Sequence, residues 1–146
     1  DVPGMKADGT IDGNFLKDYL MQLQKLSEVC HRTHVMPIVI GRILGNFPER
    51  EDYPSDLMCE LVELFNNDDV DSEIGCCLSN RRGMSSRSPY AGGAIERSHI
   101  ETFRKYQQKA MIRSPRLAKI LESEMKSFEY MAAREDERGK LADLNQ

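Results

Sequence analysis

Tryptophan is absent from this chain and aromatic residues make up only 7% of it, so its core must be built from aliphatic side chains and the eight methionines. Long apolar runs are missing too. None approaches the roughly 18 residues of a membrane-spanning helix, and no membrane partner is expected. Asp1-Val2-Pro3-Gly4 is neither a signal peptide nor a natural start, which predicts a fragment or a processed chain. Cysteine is sparse. Cys30, Cys59, Cys76 and Cys77 form no Cys-x-x-Cys pair and no disulfide framework, so free thiols and a reducing, cytoplasmic setting are expected. An excess of positive charge is lacking as well. The 20 Lys and Arg against 24 Asp and Glu leave a net charge of −4. This argues against general affinity for nucleic acid and leaves room for a local basic patch.

What is present has the composition of one folded domain: 146 residues, 40% hydrophobic and 30% charged. Residues 1–13, rich in Gly and Asp, read as an opening loop or linker, and residues 14–146 as a single helical domain. Asp8-Gly9-Thr10-Ile11-Asp12-Gly13 has the start of a calcium loop, but Tyr19 stands where the closing bidentate Glu is needed. Asp12 or Asn14 is instead expected to cap the helix that follows.

Apolar spacing then predicts five or six helices in an irregular bundle, an all-α fold. In residues 14–30, Leu16, Tyr19, Leu20, Leu23, Leu26 and Cys30 recur at steps of three and four and should share one buried face. Pro37 breaks the text. Residues 36–44 are apolar nearly all round, which predicts the central buried helix, although the β-branched Ile and Val also suit a strand. Pro54-Ser55-Asp56 opens a third helix. Asn66-Asn67-Asp68-Asp69 should stop it, with a short fourth helix over residues 71–79 that turns Ile74, Cys77 and Leu78 inward. A fifth is expected over 93–113. Ser114-Pro115, an N-cap followed by Pro at the first helical position, predicts a sixth over 115–138 and hence a closing antiparallel hairpin. Residues 140–146 should fray.

The longest break falls at residues 80–96, the one place where Gly, Ser, Pro and Arg cluster. Its candidate binding residues are Arg81, Arg82, Arg87, Tyr90, Glu96 and Arg97. Arg forks suit phosphate or carboxylate, and the bare N–H groups at the start of the fifth helix favour an anion. The more ordinary reading is that Arg82 or Arg87 pins the loop to Glu96 or Glu101, with Tyr90 packed across the final hairpin. Other chemistries are poorly supported. Cys30 and His34 have metal-ligand spacing on a continuous helix, yet two further ligands from Cys59, Cys76, Cys77 or His99 would be needed. No Cys is marked as an activated nucleophile, no phosphate loop is present, and no catalytic residue, metal or cofactor is assigned.

One set of motifs runs through most of the chain: Asp8-Gly9-Thr10-Ile11-Asp12, Asn80-Arg81-Arg82-Gly83, Gly92-Gly93-Ala94-Ile95-Glu96-Arg97, Arg104-Lys105-Tyr106, Pro115-Arg116-Leu117-Ala118, Phe128-Glu129-Tyr130 and Arg134-Glu135-Asp136-Glu137. In this set residues 8–141 resemble a helical region near the C-terminus of long bacterial proteins of unknown function. The resemblance implies a bacterial, cytoplasmic, all-α piece of a larger protein and brings no enzymatic motif. The sequence thus favours a non-enzymatic helical interaction or scaffolding module that binds a protein partner or itself. The alternative is a nucleic-acid or phosphate-ligand module using the Arg-rich loop.

Overall fold

A computed structural model describes residues 1–83, 88 and 91–145. Six α-helices, and no strands among the described residues, make up the fold: α1 (Gly13–Val29), α2 (Met36–Gly45), α3 (Asp56–Phe65), α4 (Asp68–Arg82), α5 (Ala94–Ala110) and α6 (Pro115–Leu144). The all-α reading and the closing hairpin are both present. Residues 36–44 resolve to helix, not strand.

Local chemistry sets most of the boundaries. The Asp12 carboxylate accepts from the Phe15 N–H at 3.1 Å and starts α1. Ser55 accepts from Met58 and starts α3. Ser114 does the same for α6 through the Leu117 N–H, with Pro115 at the first helical position as expected. The α3–α4 joint corrects the sequence reading. Asn66 takes the left-handed conformation (φ 45°) and ends α3, and Asn67 at once caps α4, accepting from Asp69 and Val70. The fourth helix therefore begins at Asp68 and runs to Arg82, where Gly83 (φ 58°) ends it. Arg81 and Arg82 belong to its last turn, not to the loop. Two further boundaries move: α5 stops at Ala110, and α6 continues through the stretch expected to fray, to Leu144.

The core joins all six helices. Leu16 and Leu20 of α1, Leu44 of α2, Met58, Leu61 and Val62 of α3, Ile74 and Leu78 of α4, Phe103 of α5 and Leu117 and Leu121 of α6 are fully buried together. Val2, in the opening segment, joins the same core. In α1 only the first half is covered. Gly13 lies against the Leu57 side chain and Lys17 pairs with Glu60 at 2.5 Å, so α1 runs beside the ten-residue α3 in the same direction and then overshoots it. Tyr19, Leu26 and Cys30, expected on the buried face, are exposed.

Helix α2 is not the central buried helix. It buries Met36, Ile40, Gly41, Leu44 and Gly45 and leaves Ile38 and Arg42 to solvent. Its two glycines explain the seat. A Cβ on Gly41 would stand 2.5 Å from the Glu73 Cβ and 2.8 Å from the Val70 carbonyl oxygen, and one on Gly45 would stand 2.6 Å from the Cys77 Cβ. The apolar stripe therefore rests backbone to backbone on α4, at a distance only glycine allows.

Gly41→Ala is expected to lower the urea-unfolding midpoint by an amount equivalent to about 1–3 kcal/mol, because the methyl must push α2 off the backbone of α4. An unchanged midpoint would show that the two helices are not in this contact.

Candidate functional site

The strongest electrostatic feature is built around Glu49, in the α2–α3 connection. Arg82 grips its carboxylate with both terminal nitrogens, Nη1 to Oε2 at 2.9 Å and Nη2 to Oε1 at 2.6 Å. Arg81 donates to Oε2 at 3.0 Å and to the carbonyls of Phe47 and Gly45. The Tyr106 hydroxyl donates to the same carboxylate. The Arg82 side chain is only 9% exposed, and its guanidinium lies 4.3 Å from the Phe103 ring centroid. Tyr53 stacks edge-on against Tyr106, with ring centroids 4.6 Å apart. Its hydroxyl is buried, without a hydrogen-bond partner among the described residues. Burial alone would raise the Glu49 carboxyl, but the hydrogen bonds and charge of Arg82, helped by Tyr106 and Arg81, hold it below the ordinary carboxylate range. Burial, followed by the Glu49 charge, pushes the Tyr106 hydroxyl up to about 12.

This geometry settles where Arg81 and Arg82 go. The expected partners of Arg82 were Glu96 or Glu101. Instead it reaches Glu49, 33 residues away in sequence, and Glu101 pairs with Arg104. Arg97, on the first turn of α5, pairs with Asp136 of α6. Asp136 also accepts from the Gly93 N–H at 2.9 Å, so the start of α5, expected as an anion site, already holds a carboxylate from the neighbouring helix. That backbone hydrogen bond, with Arg97, holds Asp136 below its ordinary range. Glu96 is buried and lines a cavity of about 600 Å³ with Arg82, His99, Phe128, Glu135 and Arg138. Arg87 and Tyr90, and with them the expected packing of the loop across the hairpin, lie outside the described residues. Of the four candidates among the described residues, Arg81 and Arg82 clasp Glu49, Arg97 pairs with Asp136, and Glu96 is buried and shares a cavity wall with Arg82.

The sequence reading missed Glu49, Tyr106, Asp136 and Glu63. Glu63 accepts from both the Ser114 hydroxyl (2.8 Å) and the Arg116 N–H (3.0 Å), adding a carboxylate to the start of α6. Tyr106 and Asp136 stand in the motifs Arg104-Lys105-Tyr106 and Arg134-Glu135-Asp136-Glu137, whereas Glu49 and Glu63 stand in none.

A second groove, of about 670 Å³, runs between α4 and α6 and includes Asp71, Gly75, Cys76, Arg116, Ile120 and Glu124 in its wall. Arg116 draws together Asn66, Asp68 and Asp71. Glu124 faces the bare Cα of Gly75 and accepts from the Ser79 hydroxyl. Burial raises both Asp71 and Glu124. The bond from Arg116 opposes this at Asp71, as the Ser79 hydroxyl and the Arg82 charge do at Glu124. No histidine lines this groove, and no group of three metal-ligating side chains occurs among the described residues. Cys30 and His34 are not on one helix, since His31 breaks it with φ 54°. All four cysteines are free.

Four exposed aliphatic side chains flank the α1–α2 corner. Leu26 (58% exposed) and Val29 (76%) close α1, and Val35 (36%) and Ile38 (40%) open α2. Cys30, His31, Arg32, Thr33 and His34 complete the corner and are all exposed. No helix is long and apolar enough to cross a membrane among the described residues. Comparison with family models, curated proteins and solved structures gives no match to this chain.

Arg82→Ala is expected to cost about 3–5 kcal/mol in chemical denaturation, because it leaves Glu49 buried with half its partners. Arg81→Ala should cost less, Arg81 being the more exposed of the pair. Glu49, with its lowered folded-state pKa, contributes stability that is present above its unfolded-state pKa and lost as pH falls through the folded value. Glu49→Gln should therefore flatten the acid limb of the stability profile.

Glu124 has the opposite sign. Its carboxyl is raised in the folded state, so its charge destabilises at neutral pH and the penalty disappears below the unfolded-state pKa. Glu124→Gln should unfold at higher urea than wild type at pH 7, with the gap closing as pH falls through the carboxylate range. A gap independent of pH would contradict this.

Proposed function

We propose that this domain is a non-enzymatic helical interaction or scaffolding module, a piece of a larger bacterial protein working in the cytoplasm. The observation that carries the reading is the α1–α2 corner. Four aliphatic side chains there, two closing α1 and two opening α2, remain in water. Single exposed leucines are ordinary, but several at one corner are characteristic of a docking surface. The polar features point away from turnover. The guanidinium groups of Arg81 and Arg82 are closed on Glu49.

The alternative, a nucleic-acid or phosphate-ligand module, is less well supported. Arg81 and Arg82 already direct their N–H groups at Glu49 and at backbone carbonyls, and Arg97 is joined to Asp136.

Two measurements test the choice. The natively folded protein is expected to bind the apolar-surface probe bis-ANS, and Val29→Glu, with unchanged circular dichroism, to reduce that binding. Titration with short RNA and DNA should show no saturable binding. Binding that weakens steeply with salt, as counterion release requires, would instead favour the phosphate reading.

A further inference from the structure

Glu124, in the wall of the α4–α6 groove, is a half-buried carboxylate that the chain leaves without a counter-charge. Glu49 has Arg81 and Arg82, Asp71 has Arg116, and Glu63 receives an N–H from the first turn of α6. Glu124 stands in the middle of α6, away from both ends of the helix, and forms no ion pair among the described residues. Ser79 donates to its Oε2. The Arg82 charge that acts on it is already held by Glu49. Oε1 lies over the bare Cα of Gly75, where a Cβ would stand 2.9 Å from it. At Gly41 and Gly45 the missing Cβ admits another helix, whereas at Gly75 it admits this carboxylate.

The groove around it has the form of a small-ligand site. Its volume of about 670 Å³ is in the usual range for one. Helices α4 and α6 cross it in the same direction: Asp71 meets Arg116 at one end, Gly75 meets Ile120 in the middle and Ser79 meets Glu124 at the other. Arg116, Ile120 and Glu124 are four residues apart, so they form one row along α6, about 12 Å long at 1.5 Å per residue. The Arg116 end is closed by Asn66, Asp68 and Asp71. Lys119 and the Cys76 thiol are exposed on the rim, and neither reaches Glu124. What the groove offers is therefore a buried aliphatic floor at Ile120 that leads to an uncompensated carboxylate.

We propose that the α4–α6 groove binds a primary ammonium group on an aliphatic stem, with Glu124 as its counter-ion and Ile120 beneath the stem. The ammonium donates to Oε1, and Ser79, through Oε2, holds the carboxylate in place. The charge on Glu124 destabilises the free chain, and a ligand cation reverses that penalty. This goes beyond the interaction-module reading and uses no residue of the α1–α2 corner.

The test is a nuclear magnetic resonance titration of the whole chain, following the Gly75 and Ser79 amides and the Glu124 carboxyl carbon. An ammonium group can come from a free amine or from a lysine side chain, so n-butylammonium chloride and Nα-acetyl-lysine methylamide are both used. Saturable shifts are expected with the ammonium probes and not with n-butanol or sodium chloride at the same concentration. An ammonium beside a carboxylate favours its ionised form, so Glu124 should titrate at lower pH when the probe is bound, while Glu122, paired with Lys126, should not change. Glu124→Gln should bind the amine about tenfold or more weakly. Because the same variant is expected to unfold at higher urea than wild type, that loss does not come from damage to the fold. Tighter binding of the lysine probe assigns the ammonium to a polypeptide, and tighter binding of n-butylammonium assigns it to a free amine. Butanol that binds as well as the amine, a Glu124 titration that does not move, or a Gln variant that binds like wild type would each overturn the proposal.

Discussion

A carboxylate taken out of water must be matched, and the α2–α3 connection holds such a group. Glu49 is satisfied by two guanidinium groups from the last turn of α4 and a hydroxyl from α5. These three elements therefore have to meet at one point. That meeting fixes the end of α4, holds the connection across it, and lays Arg82 on Phe103 in the centre of the core. Isolated surface pairs in this chain, such as Lys126 with Glu122, bear no such weight. The cluster at Glu49 matters because removing any one partner strands charge in a place that water does not readily reach.

The same logic recurs at the helix starts. Glu63 of α3 supports the first turn of α6, Asp136 of α6 supports the first turn of α5, and Arg116 of α6 binds the acids in the first turn of α4. Each start thus borrows a charge from a different helix. The unsatisfied N–H groups of a helix end, which could otherwise receive an external anion, are used here to lock one helix to another. The arrangement accounts for the many charged residues at helix ends and for the scarcity of buried aromatics: polar clasps supplement a core that is mostly aliphatic.

The sequence disclosed the elements better than their partners. Ser114-Pro115 is a local signal whose physics is complete within four residues, and it marked the start of α6 correctly. The spacing of Leu16 and Leu20 was equally legible. The α3–α4 joint was not, because Asn66 and Asn67 both favour turns, and nothing local says that one ends a helix while the other begins the next. Arg82 was recognisable as an Arg needing a carboxylate, but choosing Glu49 over Glu96 or Glu101 depends on the path of the chain across more than thirty residues. The apolar run of α2 invited a central position. The glycines at 41 and 45 held the better clue: four apart, they mark one face of α2 for close approach to another helix.

The corner between α5 and α6 has a consequence for how this chain can change. Arg113 reaches Asp56 and the Pro54 carbonyl at the beginning of α3, while Ser114 and Arg116 reach Glu63 and Asn66 towards its end. Four consecutive residues therefore span the whole of a ten-residue helix like the jaws of a caliper. A caliper is defined by its gap. Side chains along the outside of α3 are free to vary, whereas one residue more or less between Arg113 and Arg116 would displace one jaw relative to the other. At this corner it is the length of the chain, more than its composition, that the fold holds constant.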